Sequence, residues 1–327
     1  MICLLTLSVS VMFPQKKIQH FVFFGFERER IHDSTFVHAK NIVGAQLKYN
    51  WKELEPEKDK YNFEQSKKDL TYLTSINKKL FIQLQDVSFD TMIIPIPKYL
   101  LADSLYNGGA NIHYNFLNDK ETKYTKAGWV ARRWDDEVAN RFHLLIEELG
   151  KEFNGNLDGI NLPETAIDFG MKPTLHTKGF TFGKYKEAIM GNMKAMKTAF
   201  PNSVSIIYAN FMPGEFLPWT DSSYLRDIYS YAKEIKVGVG GPDLLPFKKG
   251  QMNNSYNFIK ECDRIIITGV AVQDGNYSYI NPQTKKRITI PEILDFAQNY
   301  LKLDYIFWGT EEPYYSRKVL PLIKGIK

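Results

Sequence analysis

LDGINLPETA, residues 157 to 166, begins as a buried strand and ends on a carboxylate. Leu157, Ile160 and Leu162, with Gly159 between them, form the short apolar run expected of a parallel strand covered on both faces. Glu164 follows where the strand runs out into a loop. Enzymes built on parallel sheets carry reacting groups there, because the strand is rigid and its carboxyl end opens on a crevice. A helix cap or a surface acid fits the stretch alone equally well, so the flanking chain has to separate the readings.

Upstream, FVFFGF (21–26) and NIVGAQLKYNW (41–51) read as strands, followed by a helix with apolar spacing at Leu70, Leu73 and Ile76 and by the strand LFIQLQ (80–85), which ends in Asp86. A helix over about 135–150 leads into the Glu164 strand. Helices over about 182–199, 221–234 and 252–261 then lead into SVSIIYANF (203–211), KVGVGGPDL (236–244) and RIIITGVAVQDGNY (264–277). A helix over 290–302 precedes LDYIFWGTEEPYY (303–315) and a closing helix. Strict alternation of strand and helix implies a parallel sheet. The fold class predicted is α/β, a single (β/α)8 TIM barrel over 20–327, undivided by sequence repeats or Pro/Gly linkers. Residues 87–134 interrupt the rhythm with Pro, Tyr, Gly, Asn and Asp and no long periodic segment. They are expected to be a long insertion after strand three, packing through Tyr99, Tyr106, Tyr114, Trp129 and Trp134 as a wall of the cleft.

The 327 residues are 44% hydrophobic and 24% charged, ordinary for a globular chain with a sizeable core. Aromatics make up 14%, enough for some to line a cleft. The net charge of +5 is scattered among acids, which argues against a nucleic-acid partner. Cys3 and Cys262 exclude a disulfide framework and a zinc cluster. The histidines show no metal-ligand spacing, and neither HExxH, GxSxG nor a Gly-rich phosphate loop occurs, so no metal or cofactor is expected. Gly238, Gly240 and Gly241 read as sites of close backbone approach. The opening MICLLTLSVSVMF is too short to cross a bilayer but fits the core of a signal peptide. A leader over 1–19 is therefore expected, with the mature protein secreted or periplasmic, or cytoplasmic if the segment is instead a buried first strand; a monomer is expected, and no other apolar run reaches spanning length.

In a barrel of this kind the loops after the strands form the working face. The first strand ends in Glu27, Glu29 and Arg30, the second in Tyr49, Asn50 and Trp51, the third in Gln83, Gln85 and Asp86. The fourth supplies Asn161 and Glu164, the fifth Asn210, the sixth Asp243, the seventh Gln273 and Asp274, and the eighth Trp308, Glu311 and Glu312. Amides and carboxylates form paired hydrogen bonds with vicinal hydroxyls, and flat aromatics stack on the apolar faces of pyranose rings. The face is therefore suited to a carbohydrate. His32, just past the first strand, could reach the same face or serve structurally.

WKELEPEKDKYNF (51–63) resembles the W-x-x-L-E-P-x-x-x-x-Y/F-x-F segment of clan A glycoside hydrolases, including xylanase-like and β-galactosidase-like families, and the likeness extends over about 20–86. That resemblance implies hydrolysis of glycosidic bonds by two carboxylates: an acid/base at the end of strand four, usually after Asn, and a Glu nucleophile at the end of strand seven. Glu164 takes the first place, although Pro163 precedes it. Strand seven has no Glu, so the second carboxylate is open among Glu312, Asp274 and Glu311, in that order. Arg30, Asn50, Gln83, Gln85, Asp86, Asn210, Asp243 and Gln273 are candidates for contact with the substrate, and Trp51, Trp129 and Trp308 for stacking. The missing Glu also admits a catalytically inactive barrel that binds carbohydrate. A lyase or isomerase acting on small acids would need more cationic groups or a metal.

Overall fold

A computed structural model describes residues 16–118 and 120–326; most of the expected leader lies outside the described residues. β1 (Gln19–Gly25), β2 (Gly44–Asn50) and β3 (Lys79–Gln85) are parallel neighbours. The chain then leaves the barrel for β4 (Val87–Ser88), β5 (Ala110–Phe116) and β6 (Tyr124–Ala131), and returns for β7 (Gly159–Leu162), β8 (Val204–Tyr208), β9 (Gly238–Gly241), β10 (Thr268–Val272) and β11 (Tyr305–Gly309). Eight of these strands close in the order β1-β11-β10-β9-β8-β7-β3-β2. Every pairing is parallel, so all eight carboxyl ends open on one face. The TIM barrel expected from the alternation is present.

Residues alternate along each strand between inside and outside. Inward positions supply an apolar plug of Phe21, Phe81, Ile206, Tyr208, Ala271, Tyr305 and Phe307, distinct from the larger core between strands and helices. Nearer the mouth the filling turns polar: Gln46 Nε2 donates to Asn161 Oδ1 at 2.9 Å and to the Tyr208 hydroxyl at 3.0 Å. The register then places Lys48 beside Gln83 and Gln83 beside Asn161, one polar row spanning three strands. Gly240 has a packing reason, since a Cβ there would lie 1.7 Å from the Gly269 carbonyl oxygen on the next strand.

The WKELEP segment acts as a structural clasp. Trp51 is wholly buried against Phe142, and its Nε1 donates to Glu55 Oε2 at 2.8 Å. The same buried carboxylate accepts from Arg141 on helix Asp136–Phe153.

Beyond β3, β4, β5 and β6 form an antiparallel sheet in the order β4-β6-β5. ANIHYNF and YTKAGWVA lack a clean hydrophobic alternation, which is why these strands are not legible in the sequence. The sheet is tied to the barrel mouth by Ala131 N–H to Asp86 O at 2.8 Å and by Tyr114 N–H to Asp168 O at 2.9 Å. No helix among the described residues is long and apolar enough to cross a membrane.

Candidate active site

Glu164 stands just past the end of β7, half-buried at the barrel mouth. Its Oε2 accepts a 2.7 Å hydrogen bond from Asn210 Nδ2, which projects from just past β8. Burial lifts the Glu164 carboxyl from 4.5 to about 7; the Asn210 bond opposes this, Asp243 adds to it, and Lys48 and Arg133 oppose it. At neutral pH the group is poised between acid and carboxylate, as a proton donor requires.

Below Glu164 lies a buried ion pair that the sequence did not disclose. Arg133 meets Asp86 with two hydrogen bonds, Nε to Oδ2 at 2.7 Å and Nη2 to Oδ1 at 2.5 Å. Its Nη1 donates to the Tyr185 hydroxyl at 2.6 Å, and that hydroxyl donates to the Thr165 carbonyl at 2.9 Å. Burial opposes the Arg133 charge, but Asp86 and Tyr185 outweigh it and the guanidinium is held firmly protonated. Asp86 is thus spent on Arg133 and corrects the expectation that it contacts substrate. Through Tyr185 the pair is tied to the Thr165 carbonyl, next to Glu164.

Beside this centre an open cleft of about 340 Å³ is lined by Phe23, Phe26, Lys48, Gln273, Asp274 and Glu311, among others. The three carboxylates proposed as partners of Glu164 separate here by what holds them. Glu312 is exposed and not part of the lining, and its Oε2 accepts from Ser316 Oγ at 2.6 Å, capping the turn that follows. Glu311 Oε2 accepts the Gly275 N–H at 2.7 Å and fixes the loop after β10. Asp274 is exposed to the cleft, and no described residue donates a hydrogen bond to its carboxylate. Asp243 is half-buried with Oδ1 held by Asn276 Nδ2 at 2.9 Å.

Gln83 and Gln85 point inward from β3, as expected. Gln83 Oε1, Gln85 Nε2, Asn210 Oδ1 and Gln46 Oε1 are buried without a hydrogen-bond partner among the described residues. Each such group costs about 1–3 kcal/mol when left unpaired. Gln83, Gln85 and Asn210 bring such atoms toward the carboxyl ends of β3 and β8. Arg30 lines the cleft but is engaged with Thr310 Oγ1 at 2.7 Å, Glu27 at 2.8 Å and Asp33 at 3.2 Å, so it ties the rim together. Asn50 opens the short helix Trp51–Leu54, with Glu53 accepting its N–H at 2.7 Å.

Two of the three tryptophans correct the stacking expectation. Trp51 is core. Trp308 points outward from β11, is wholly buried, and donates through Nε1 to His20 Nδ1 at 3.1 Å. Burial lowers that histidine to about 4, leaving its ring neutral and able to accept. Trp129 lies half-buried in the antiparallel sheet, bonded to Thr91 O at 2.9 Å. His32 packs on the Tyr72 ring, 3.9 Å between centroids, rather than entering the site. Aromatics that reach the working face include Phe23 and Phe26, in the cleft lining, and the exposed pair Phe216 and Trp219 in the loop after β8, stacked at 5.1 Å. Among the described residues no three His, Cys, Asp or Glu side chains are grouped so as to hold a metal ion.

Similarity to solved structures follows this architecture. A xylanase 10B from Thermotoga petrophila RKU-1, solved with xylobiose, matches at 13% identity over 89% of this chain and 82% of its own, with a TM-score of 0.54. The catalytic domain of a β-amylase from Paenibacillus polymyxa matches at 8% identity over 90% and 92%, with a TM-score of 0.58. A psychrophilic glycoside hydrolase family 10 endo-β-1,4-xylanase matches at 11% identity over 90% and 86%, with a TM-score of 0.51. No protein-family model matches the chain, and no curated protein sequence does. At these identities the likeness shows the fold: the chain has the (β/α)8 barrel that these glycoside hydrolases share.

Proposed function

We propose that this protein hydrolyses glycosidic bonds, with Glu164 as general acid and Asp274 as the second carboxylate. The observation that carries the reading is the state of Glu164, a carboxyl at a barrel mouth lifted to about 7 and bonded to the Asn210 amide. A neutral carboxylic acid can protonate the departing glycosidic oxygen, while an ionised partner attacks the sugar or activates water. Asp274 suits the second role because it lines the cleft and no described residue donates a hydrogen bond to its carboxylate. Asp243 acts on Glu164 by keeping it protonated. Gln83, Gln85 and Asn210 supply the amides of the mouth for substrate hydroxyls, and Phe26, Phe216 and Trp219 offer ring faces to the sugar.

The test is release of reducing ends from a broad panel of polysaccharides and aryl glycosides by wild type, Glu164→Gln and Asp274→Asn. Cleavage by the wild type that falls at least a hundredfold in each variant supports the assignment. Saturable glycan binding without product would instead identify a binding barrel, the reading favoured by the absence of a glutamate at the end of β10.

A further inference from the structure

Asp274 stands at the apex of a turn that is held from both sides. Residues 273–276 follow β10, and the Asn276 N–H closes them on the Gln273 carbonyl at 3.1 Å. Gly275 takes the third place of the turn at φ +84°, a conformation that favours glycine. Asp274 is left at the second place, exposed and in the cleft lining. The strands beside β10 in the barrel are β9 and β11, and each side supplies a hold. Toward β9, the buried Asn276 donates through Nδ2 to Asp243 Oδ1 at 2.9 Å, while its Oδ1 accepts the Leu244 N–H at 3.0 Å and the Gln273 N–H at 3.3 Å. Toward β11, the half-buried Glu311 accepts the Gly275 N–H at 2.7 Å and shares the cleft lining with Gln273 and Asp274. Just past the turn, the buried Tyr277 donates its hydroxyl to the Gly309 carbonyl at 2.8 Å and pins the departing chain to β11 as well.

We propose that Glu311 and Asn276 are positioning residues for Asp274, clamping its turn to β11 and β9 so that the carboxylate is delivered at one place in the cleft. The proposal rests on the hydrolase reading for the part Asp274 plays. A carboxylate that attacks a sugar or activates water needs its oxygens free and its place fixed, since a displacement of about 1 Å can cost about a hundredfold in rate. Both clamps grip the turn through peptide groups and a neighbouring loop, and neither is hydrogen-bonded to the Asp274 carboxylate. Both needs are met at once. Glu311 then has a part different from that of a second reacting carboxylate: it supplies an acceptor oxygen, which a glutamine also carries.

The experiment compares Glu311→Ala and Glu311→Gln with the wild type on an aryl glycoside that the wild type cleaves. Glu311→Ala is expected to lower kcat by at least about tenfold and to leave KM within about twofold, because the sugar still binds while Asp274 is displaced from the reacting carbon. Glu311→Gln, which keeps an oxygen for the Gly275 N–H, should return kcat to within about threefold of the wild type. Asn276→Ala releases the other clamp and should repeat the loss in kcat. A glutamine variant as inactive as the alanine variant would show that Glu311 acts through its charge, and an alanine variant with unchanged kcat would show that the turn needs no clamp; either overturns the proposal. Hydrogen exchange of the Gly275 amide is read without substrate. It should be at least about tenfold faster in Glu311→Ala than in the wild type or Glu311→Gln, and equal rates in all three would also overturn the proposal. A wild type that cleaves no glycan would retire the hydrolase reading, while the exchange would still decide whether Glu311 holds the turn.

Discussion

Replacing Glu164 by Gln should make the protein more stable, and increasingly so as pH rises. The folded carboxyl is lifted from 4.5 to about 7. Between those values the folded state keeps a proton that the unfolded chain has released, so the wild type loses stability as pH increases through this window. Below about pH 4.5 both states are protonated and the group contributes nothing. Above about pH 7 the folded state must hold a partly desolvated carboxylate, at a cost that approaches about 3.5 kcal/mol at about 1.4 kcal/mol per pH unit, reduced toward about 2 kcal/mol by partial solvent access. Glutamine has no charge to bury, and its side-chain oxygen can still accept from Asn210. Urea unfolding of both proteins from pH 4.5 to 8.5 measures the difference. The curves should coincide at the acid end and diverge to about 2–3 kcal/mol in favour of the variant above pH 7. Parallel curves, or a gap that opens on acidification, would show that Glu164 titrates as an ordinary carboxylate and would remove the physical basis for its role as an acid.

Other expectations follow from the same geometry. The basic limb of kcat/KM against pH should fall near pH 7 as Glu164 loses its proton, and a profile flat to pH 9 would point to another acid. Glu312→Gln should change kcat/KM by less than about tenfold and Asp274→Asn by at least about a hundredfold; the reverse order would restore Glu312 as the second carboxylate. Arg133→Met strands Asp86 in the interior and should cost about 3–5 kcal/mol in denaturant unfolding, whereas a loss below about 1 kcal/mol would mean the pair is not buried as described. Gln85→Leu should leave stability within about 1 kcal/mol, since its Nε2 has no protein partner, yet lower kcat/KM by about tenfold or more; an unaffected kcat/KM would take Gln85 out of the binding site.

The barrel was legible because its signal is redundant: short apolar strands and amphipathic helices alternate along the chain, and each confirms the next. The place of Glu164 at the barrel mouth was legible because it follows directly on a short buried strand. The second carboxylate was harder, since Asp274, Glu311 and Glu312 lie on neighbouring loops and differ only in what holds them, a free carboxylate against a Gly275 N–H and a Ser316 hydroxyl. The tryptophans were misjudged for a related reason. Trp308 lies one residue beyond the inward-facing Phe307, and a register one step different would have put it in the barrel; the alternation of Phe21, Val22 and Phe23 with neighbouring strands fixes that parity only in three dimensions. Asp86 was assigned to substrate because its partner Arg133 is 47 residues away across the antiparallel sheet. Lys48 went unnoticed in a strand otherwise read for its apolar content, though its even spacing from Gln46 and Asn50 already put it on the inward face.

The most direct measurement compares leaving groups. For aryl glycosides of whichever sugar the wild type cleaves, kcat/KM is determined for wild type and Glu164→Gln across phenols from strongly acidic to weakly acidic. An enzyme whose Glu164 protonates the departing oxygen loses little on the acidic phenols, which leave unaided, and at least about a hundredfold on the weakly acidic ones. A loss of the same size for every leaving group would contradict Glu164 as the proton donor.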